Sequence, residues 1–355
     1  MYENAIKILK KLNACGFQAY IIGGYPRNTY LGIVSNDIDI CTSATPADIA
    51  SLFPNVDISS ASYGAVHFMY GGFSYDLTTF RKDKSMLNGN RFYAVEYIDD
   101  LKEDLYRRDF IMNTLCIDKD GNYVDYLDAT SDIDNRVIQT IKNPSISFKE
   151  DPLRMLRAIR FSTTLSFSLS SEICTSLVSM KHLLYHLSIN RIKHELDLIF
   201  SSQNCMLGIT YLKDFGMDEV LSLDLDDISY SSNYLGIWAQ CSLKEKYPFT
   251  KTEKRIIDNI QKILNLTPSF FVLYEYGIDI CKIVDDIHGN DIYYQLDKEI
   301  PIHNRSEINI DKQFLLLNVP HCLISTMYQK IEYEILCGNL CNEEEQIQHY
   351  ILNNI

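Results

Sequence analysis

Two textures divide the chain. From about residue 18 to about residue 140, short apolar runs (AYIIGG, DIDICT, AVHFMY, SYDLTTF, NYVDYL) alternate with Gly, Pro, Asn and Asp punctuation, the pattern of strands joined by turns and short helices. From about residue 148 onward the apolar positions recur at helical spacing, in LRMLRAIRF, EICTSLVSMKHLLYHL and INRIKHELDLIF, and further helical stretches follow. The N-terminal run MYENAIKILKKLNACGF reads as an amphipathic helix without a signal-peptide cleavage pattern. Strands followed by helices predict an α+β head carrying an all-helical extension, with loops expected near 222–233 and 299–312. No internal repeat or low-complexity tract interrupts this order.

Composition changes the picture little. A chain of 355 residues has room for two or three packed units, and 46% apolar with 23% charged residues is ordinary for a soluble protein. No stretch approaches the ~20 uninterrupted apolar residues of a membrane span, so no membrane partner and a cytoplasmic address are expected. Ten cysteines lie scattered without CxxC pairs, which favours reduced thiols over a disulfide or zinc framework. His182 and His186 share a helical spacing but lack a third ligand nearby. The net charge of −14 argues against a generic nucleic-acid binder, although a local basic groove is compatible with an acidic exterior.

Five constellations carry candidate chemistry. Gly23-Gly24-Tyr25-Pro26-Arg27 directly follows the apolar run Ala19–Ile22. Paired glycines after a strand let backbone N–H groups approach a phosphate, and Arg27 adds a fixed positive charge; a plain turn is the alternative. In Asp37-Ile38-Asp39, strand alternation would turn both carboxylates to one face and Ile38 to the core. Two such anions suit Mg²⁺, which takes oxygen ligands together with substrate phosphates, whereas an isolated pair reads as an exposed strand end. Asp76, within YDLTTF, becomes a third acid if its strand neighbours the first two, and is otherwise a solvated strand residue. Arg107-Arg108-Asp109, with Asn113 one helical turn on, can grip phosphate and ribose hydroxyls or form a surface ion pair. Finally, in Glu150-Asp151-Pro152-Leu153-Arg154-Met155-Leu156-Arg157-Ala158-Ile159-Arg160-Phe161, Pro152 fits the first helical position and makes Asp151 the N-cap. Arg154, Arg157 and Arg160 then gather opposite the apolar side made by Leu153, Leu156 and Ile159.

In this order the five resemble the class II nucleotidyltransferases, the family of bacterial and eukaryotic CCA-adding enzymes and bacterial poly(A) polymerases. The resemblance runs from about residue 18 to about residue 200. Its most specific pieces are the GGxxR–DxD pair, LTTFR, DLxRRDFxxN and EDPLRMLRAIRF. It implies a nucleotidyltransferase head with a mixed β-sheet over residues 1–140. A helical neck over 141–200 and a helical, RNA-binding body and tail over 201–355 would follow. It also implies Asp37 and Asp39 as ligands of catalytic Mg²⁺, with Asp76 as the third catalytic acid. Gly23, Gly24 and Arg27 fall to the triphosphate, Arg108 to the nucleotide, and Asp109 and Asn113 to the sugar. Asp151 and Arg154 take the place of a protein template that reads the base, and Arg157 and Arg160 add nucleotide contacts. The implied partners are the tRNA 3′ end, CTP and ATP, with no role for DNA.

The sequence departs from the family pattern at several points. Pro26 and Asn28 stand where Val and Asp are usual, Asn190 where a Glu is usual, and Tyr126, Asp128 and Ala129 where Pro and glycines are common. The loop Lys82–Val95 is only partly like the segment that helps CCA enzymes switch to A. Within the enzyme class the alternatives are poly(A) polymerase and partial CC- or A-adding enzymes; from another class, a catalytically dead RNA- or nucleotide-binding homologue.

Overall fold

The computed structural model describes residues 1–84, 94–241 and 246–354. The central portion of the loop 82–95, residues 85–93, lies outside them. By Cα proximity the chain divides into two compact units, one of residues 1–199 with 210–221, the other of 200–209 with 222–355.

The first unit opens with helix α1 (Tyr2–Ala14), whose Ala5, Ile8, Leu9 and Leu12 are fully buried at the spacing of one helix face. Strand β1 (Ala19–Ile22), helix α2 (Gly24–Tyr30), strand β2 (Asp39–Thr42) and helix α3 (Pro46–Leu52) follow. Thr45 starts α3 with a capping box shared with Asp48, and Pro46 occupies the first turn, where its missing N–H costs nothing. Strands β3 (Ala65–Tyr70) and β4 (Phe73–Thr79) form a hairpin across Gly71-Gly72, both at positive φ. After them come the hairpin pair β5 (Arg81–Lys84) and β6 (Ala94–Tyr97), helix α4 (Leu101–Leu105), and the short strands β7 (Cys116–Ile117) and β8 (Tyr123–Val124).

The main sheet has the order β3-β4-β2-β1-β7-β8. It is mixed: β2 and β4 run parallel, and the other neighbours are antiparallel. One face packs against α1 and α3 through Ile21, Ile38, Ile40, Val66, Phe68, Tyr75 and Leu77. Burying each of the larger aliphatic groups contributes about 1.5–3 kcal/mol. Behind the sheet, Ile22, Cys41 and Cys116 meet Phe80, Leu101 and Leu105. The α+β expectation and the mixed sheet are thus observed.

Helix α5 (Ala129–Asp134) and strand β9 (Val137–Ile138) lead into the helical part, α6 (Pro144–Glu150) and α7 (Leu153–Leu165). Strand β10 (Ser168–Leu169) pairs in parallel with β9, and α8 (Ser171–Met180) and α9 (Ile189–Phe200) follow. The helical run read across 172–187 ends as an α-helix at Met180 and continues as a 3₁₀ turn, Lys181–His186. Among the described residues no group of three or more His, Cys, Asp or Glu has metal-holding geometry, so His182 and His186 remain without a third ligand.

The second unit is helical, and Trp238 sits fully buried at its centre against Phe200, Tyr247 and Phe249. Residues 222–233 form no helix, and 300–311 hold only the 3₁₀ turn Arg305–Glu307, as expected of loops. No helix among the described residues is long and apolar enough to cross a membrane.

Candidate active site

Strand register assembles the acids. Ile22 at the end of β1 lies opposite Asp39 at the start of β2, and Asp39 in turn lies beside Asp76 in β4. Ile38 is buried while Asp37 is exposed and Asp39 half-buried, the alternation expected when a strand presents both carboxylates to one side. Gly23 closes the corner with φ +82°, a backbone conformation that side chains disfavour, and a Cβ there would stand 3.2 Å from Asp39 Oδ2. Only glycine lets the chain turn from β1 into α2 at this distance from a carboxylate.

Burial, and then the charges of Asp37 and Asp76, push the Asp39 carboxyl up to about 6, against a smaller opposing pull from Arg108. Crowded hard oxygen donors that resist sharing one negative field suit a divalent cation, which would relieve the repulsion. No three carboxylates form a closed cage among the described residues. A small dication that keeps water and takes phosphate oxygens does not need one. Asp76 is also engaged by His67, which faces it across β3–β4 with Nδ1 2.7 Å from Asp76 Oδ1; Ser74 Oγ lies 3.0 Å from His67 Nε2. Sequence reasoning missed His67, although its period-2 position on the open face of β3 was readable.

A second cluster links the Gly-Gly corner to α7. Arg27 is 5% exposed; it donates to Asn113 Oδ1 and, from Nε and Nη2, to Asn28 Oδ1 at 3.1 and 2.9 Å. Asn28 therefore supplies as a neutral amide the acceptor that an Asp would supply with charge. Burial lowers the Arg27 guanidinium to about 10; Asp109 opposes this, and Arg160 and Arg157 add to it. Asn113 is not a helical turn beyond Asp109 as expected: Phe110 is extended, and Ile111–Asn113 is a single 3₁₀ turn. That turn still brings Asn113 Nδ2 within 3.2 Å of Asp109 Oδ1. Asp109 Oδ2 accepts from Arg157 Nε and Nη2 at 2.8 and 2.6 Å. Burial alone would raise Asp109; the Arg157 guanidinium and the Asn113 and Phe110 hydrogen bonds outweigh it and hold the group at about 2.

Arg157 and Arg160 also approach Glu195 of α9, at 3.7 and 3.3 Å. Glu195 is 2% exposed, and sequence reasoning missed it because it sits 35 residues beyond Arg160 in an ordinary helical pattern. Arg157 and Arg160 are thus part-buried in an ion-pair network with Asp109 and Glu195. Lys193, on the same helix as Glu195, is buried and donates to Asp197 at 2.8 Å.

Arg108 is held by Asp104, whose Oδ2 accepts from Arg108 Nε and Nη2 at 3.2 and 2.9 Å, while Oδ1 accepts from Arg107 Nε at 2.8 Å. Burial would push Asp104 up, but the Arg108 and Arg107 guanidiniums more than offset it and hold the carboxyl below its ordinary range. Removing this buried acceptor withdraws a carboxylate partner from both arginines. Asp104→Ala is therefore expected to cost about 3 kcal/mol of stability, read as a lower urea midpoint at unchanged m-value; an unchanged midpoint would contradict the pairing.

Helix α7 begins one residue later than expected, with Pro152 as its N-cap, and the residue before it, which ends α6 in an extended conformation, is Asp151. Its two oxygens divide the work: Oδ1 accepts from Leu153 N at 3.2 Å and Oδ2 from Arg191 Nη2 at 3.0 Å. Arg154 donates to Ser147 Oγ at 2.9 Å and to the Arg107 carbonyl. The start of α7 and the Arg107–Arg108 segment are thereby tied to one another.

Residues 19–139 match the poly A polymerase head domain. The whole chain aligns with the CCA-adding enzyme of Staphylococcus aureus (strain bovine RF122 / ET3-1), 29% identical over 402 residues, 100% of this chain and 98% of that one. The chain is thus similar, along its length, to class II nucleotidyltransferases. The chain is also 29% identical to the CCA-adding enzyme of Bacillus cereus (strain Q1), over 99% of this chain and 98% of that one. Its fold is that of the Bacillus stearothermophilus CCA-adding enzyme in complex with CTP (TM-score 0.78, 22% identity, 99% and 97% covered). The Thermotoga maritima CCA-adding enzyme complexed with tRNA_CCA shares it too (TM-score 0.66, 18% identity, 99% and 94% covered). Where glycines are common in the family it resembles, the chain places Asp128 at φ +60°, a left-handed conformation that Asp tolerates better than most residues.

Proposed function

We propose that this chain adds C and A nucleotides to the 3′ end of tRNA, completing CCA from CTP and ATP. The observation that carries this reading is the packing of Gly23 against Asp39, with Asp76 alongside in register. A backbone corner made for phosphate there abuts the acids that would hold a cation. In this reading Asp37 and Asp39 hold Mg²⁺, and Asp76 is the third acid of the site. The bound metal would lower the pKa of the RNA 3′-hydroxyl and shield charge on the leaving pyrophosphate.

The chain's own residues do the rest. Gly23 and Gly24 bring backbone close to the triphosphate, and Arg27 supplies a charge fixed by Asn28 and Asn113. Arg108 faces the nucleotide from its anchor on Asp104. Asp109 and Asn113 border the sugar. Asp151 and Arg154 read the base, steadied by Arg191 and by the Arg107 carbonyl. Arg157 and Arg160 add nucleotide contacts from successive turns of α7. Residues 1–140 form the catalytic head, 141–200 the neck, and 201–355 the RNA-binding body and tail, in a cytoplasmic protein.

The test offers tRNA transcripts ending before CCA, after C and after CC, each with one labelled triphosphate, and sizes the products. Sequential addition of two C and one A is expected. Long A tracts would indicate a poly(A) polymerase, arrest after CC a CC-adding enzyme, and no product a binding homologue.

A further inference from the structure

Three guanidiniums surround one aromatic ring. Arg160 lies 4.4 Å, Arg27 5.2 Å and Arg157 5.3 Å from the centroid of Phe161, and the only aromatic neighbour the ring makes among the described residues, Phe110, meets it edge-on at 5.7 Å. The ring is half-buried and directly follows Arg160, at the C-terminal end of the arginine row of α7. The carboxylates that these arginines meet are Asp109 and Glu195, so three cations share two counter-charges. Each guanidinium repels the others, and Arg27 and Arg160 are lowered by burial and by that repulsion. The negative faces of an aromatic ring attract cations without neutralising them. Phe161 thus lets the three arginines crowd together while leaving a net positive charge for an incoming anion.

We infer that Phe161 is a positioning residue that holds Arg27, on the Gly-Gly corner, in register with Arg157 and Arg160, on the base-reading helix, before the nucleotide arrives. The inference rests on the nucleotidyl-transfer reading above. It assigns to the ring's π face, and not to its bulk, the task of joining two elements that grip opposite ends of one triphosphate. The hydrogen-bonded chain Arg27–Asn113–Asp109–Arg157 links the same two elements through one arginine of each, whereas the ring meets all three arginines at once.

The experiment compares F161L, which keeps apolar volume and removes the ring's faces, with F161Y, which keeps both. F161L is expected to raise KM for CTP and for ATP alike by about tenfold, roughly 1.4 kcal/mol of binding, with kcat within about threefold of wild type. Calorimetric titration with CTP in EDTA should show the same weakening without turnover, and F161Y should restore both readouts to within about twofold. An F161L protein with unchanged KM and CTP affinity would overturn the inference, as would an F161Y protein as defective as F161L. Should F161L fail to fold, F161M is read in its place. Wild-type protein that neither binds CTP nor extends tRNA would overturn the functional reading and this inference with it; an active wild type beside an unaltered F161L would overturn this inference alone.

Discussion

Asp39→Asn is expected to lower the rate of nucleotidyl transfer by at least about a thousandfold while leaving the metal-free protein more stable, not less. The loss of rate follows from removing one of the two carboxylates assigned to hold Mg²⁺ beside the Gly23 corner. The gain in stability follows from the crowding of Asp39. Its carboxyl is raised from 3.8 to about 6 by burial and by the charges of Asp37 and Asp76. An acid raised in the fold binds its proton more tightly there than in the unfolded chain. The folded state is therefore penalised progressively as pH rises above the ordinary value, and the penalty is complete above about 6. A rise of that size corresponds to about 3 kcal/mol, and a neutral amide of the same shape removes most of it. Thermal melts in EDTA should show wild type and variant nearly together at pH 4 and the variant higher at pH 7. Adding Mg²⁺ should raise the wild-type melting temperature and shift the variant far less. A variant that keeps its activity, or that melts below wild type at pH 7, would defeat the assignment.

The acids were legible because period-2 alternation acts locally: Asp37 and Asp39 needed only their own strand. Asp76 required a pairing partner, and the sequence does not reveal that β4 runs parallel to β2 with Asp39 beside Asp76. That register is set by how Val66, Phe68, Tyr75 and Leu77 fill one face under α1 and α3, a property of the assembled core. The arginines of α7 illustrate a different limit. Their spacing was plain, but a side chain's partner can lie far away in sequence, and Glu195, which pairs with Arg157 and Arg160, could not be named from spacing. Asp104 was within reach, since it stands four residues before Arg108 at the spacing of helical ion pairs. Its importance lies in its burial, which spacing alone does not disclose. Asn28 shows a departure from the family pattern resolved by geometry: the amide oxygen keeps the hydrogen bonds to Arg27 and gives up only the charge.

Asp151→Asn is expected to change which bases are accepted. A carboxylate only accepts hydrogen bonds and a guanidinium only donates. Cytosine and adenine each present an amino donor beside an acceptor nitrogen, so both suit Asp151 and Arg154. Uracil and guanine put a carbonyl where the amino group should be, and two acceptors then face one another. Oδ1 of Asp151 caps the Leu153 N–H, and Oδ2 accepts from Arg191. A carboxylate oxygen can accept more than one hydrogen bond, so the Leu153 cap and the Arg191 ion pair do not by themselves bar a base from Asp151. In the Asn variant the amide oxygen keeps the cap and the NH₂ group replaces the other oxygen. It repels the Arg191 donor and offers a hydrogen to a base carbonyl. Discrimination built on a buried, correctly paired polar group is large, so the preference for CTP and ATP over UTP should fall by two to three orders of magnitude, roughly. Uridine incorporation should rise in absolute terms. Asp151→Ala, which removes the acceptor without adding a donor, should relax selectivity with little gain for UTP. Single-turnover assays with each labelled triphosphate on a tRNA transcript lacking CCA measure both. If Asn and Ala variants instead lose rate equally for all four nucleotides, Asp151 is a helix cap and nothing more, and base choice must come from elsewhere on α7.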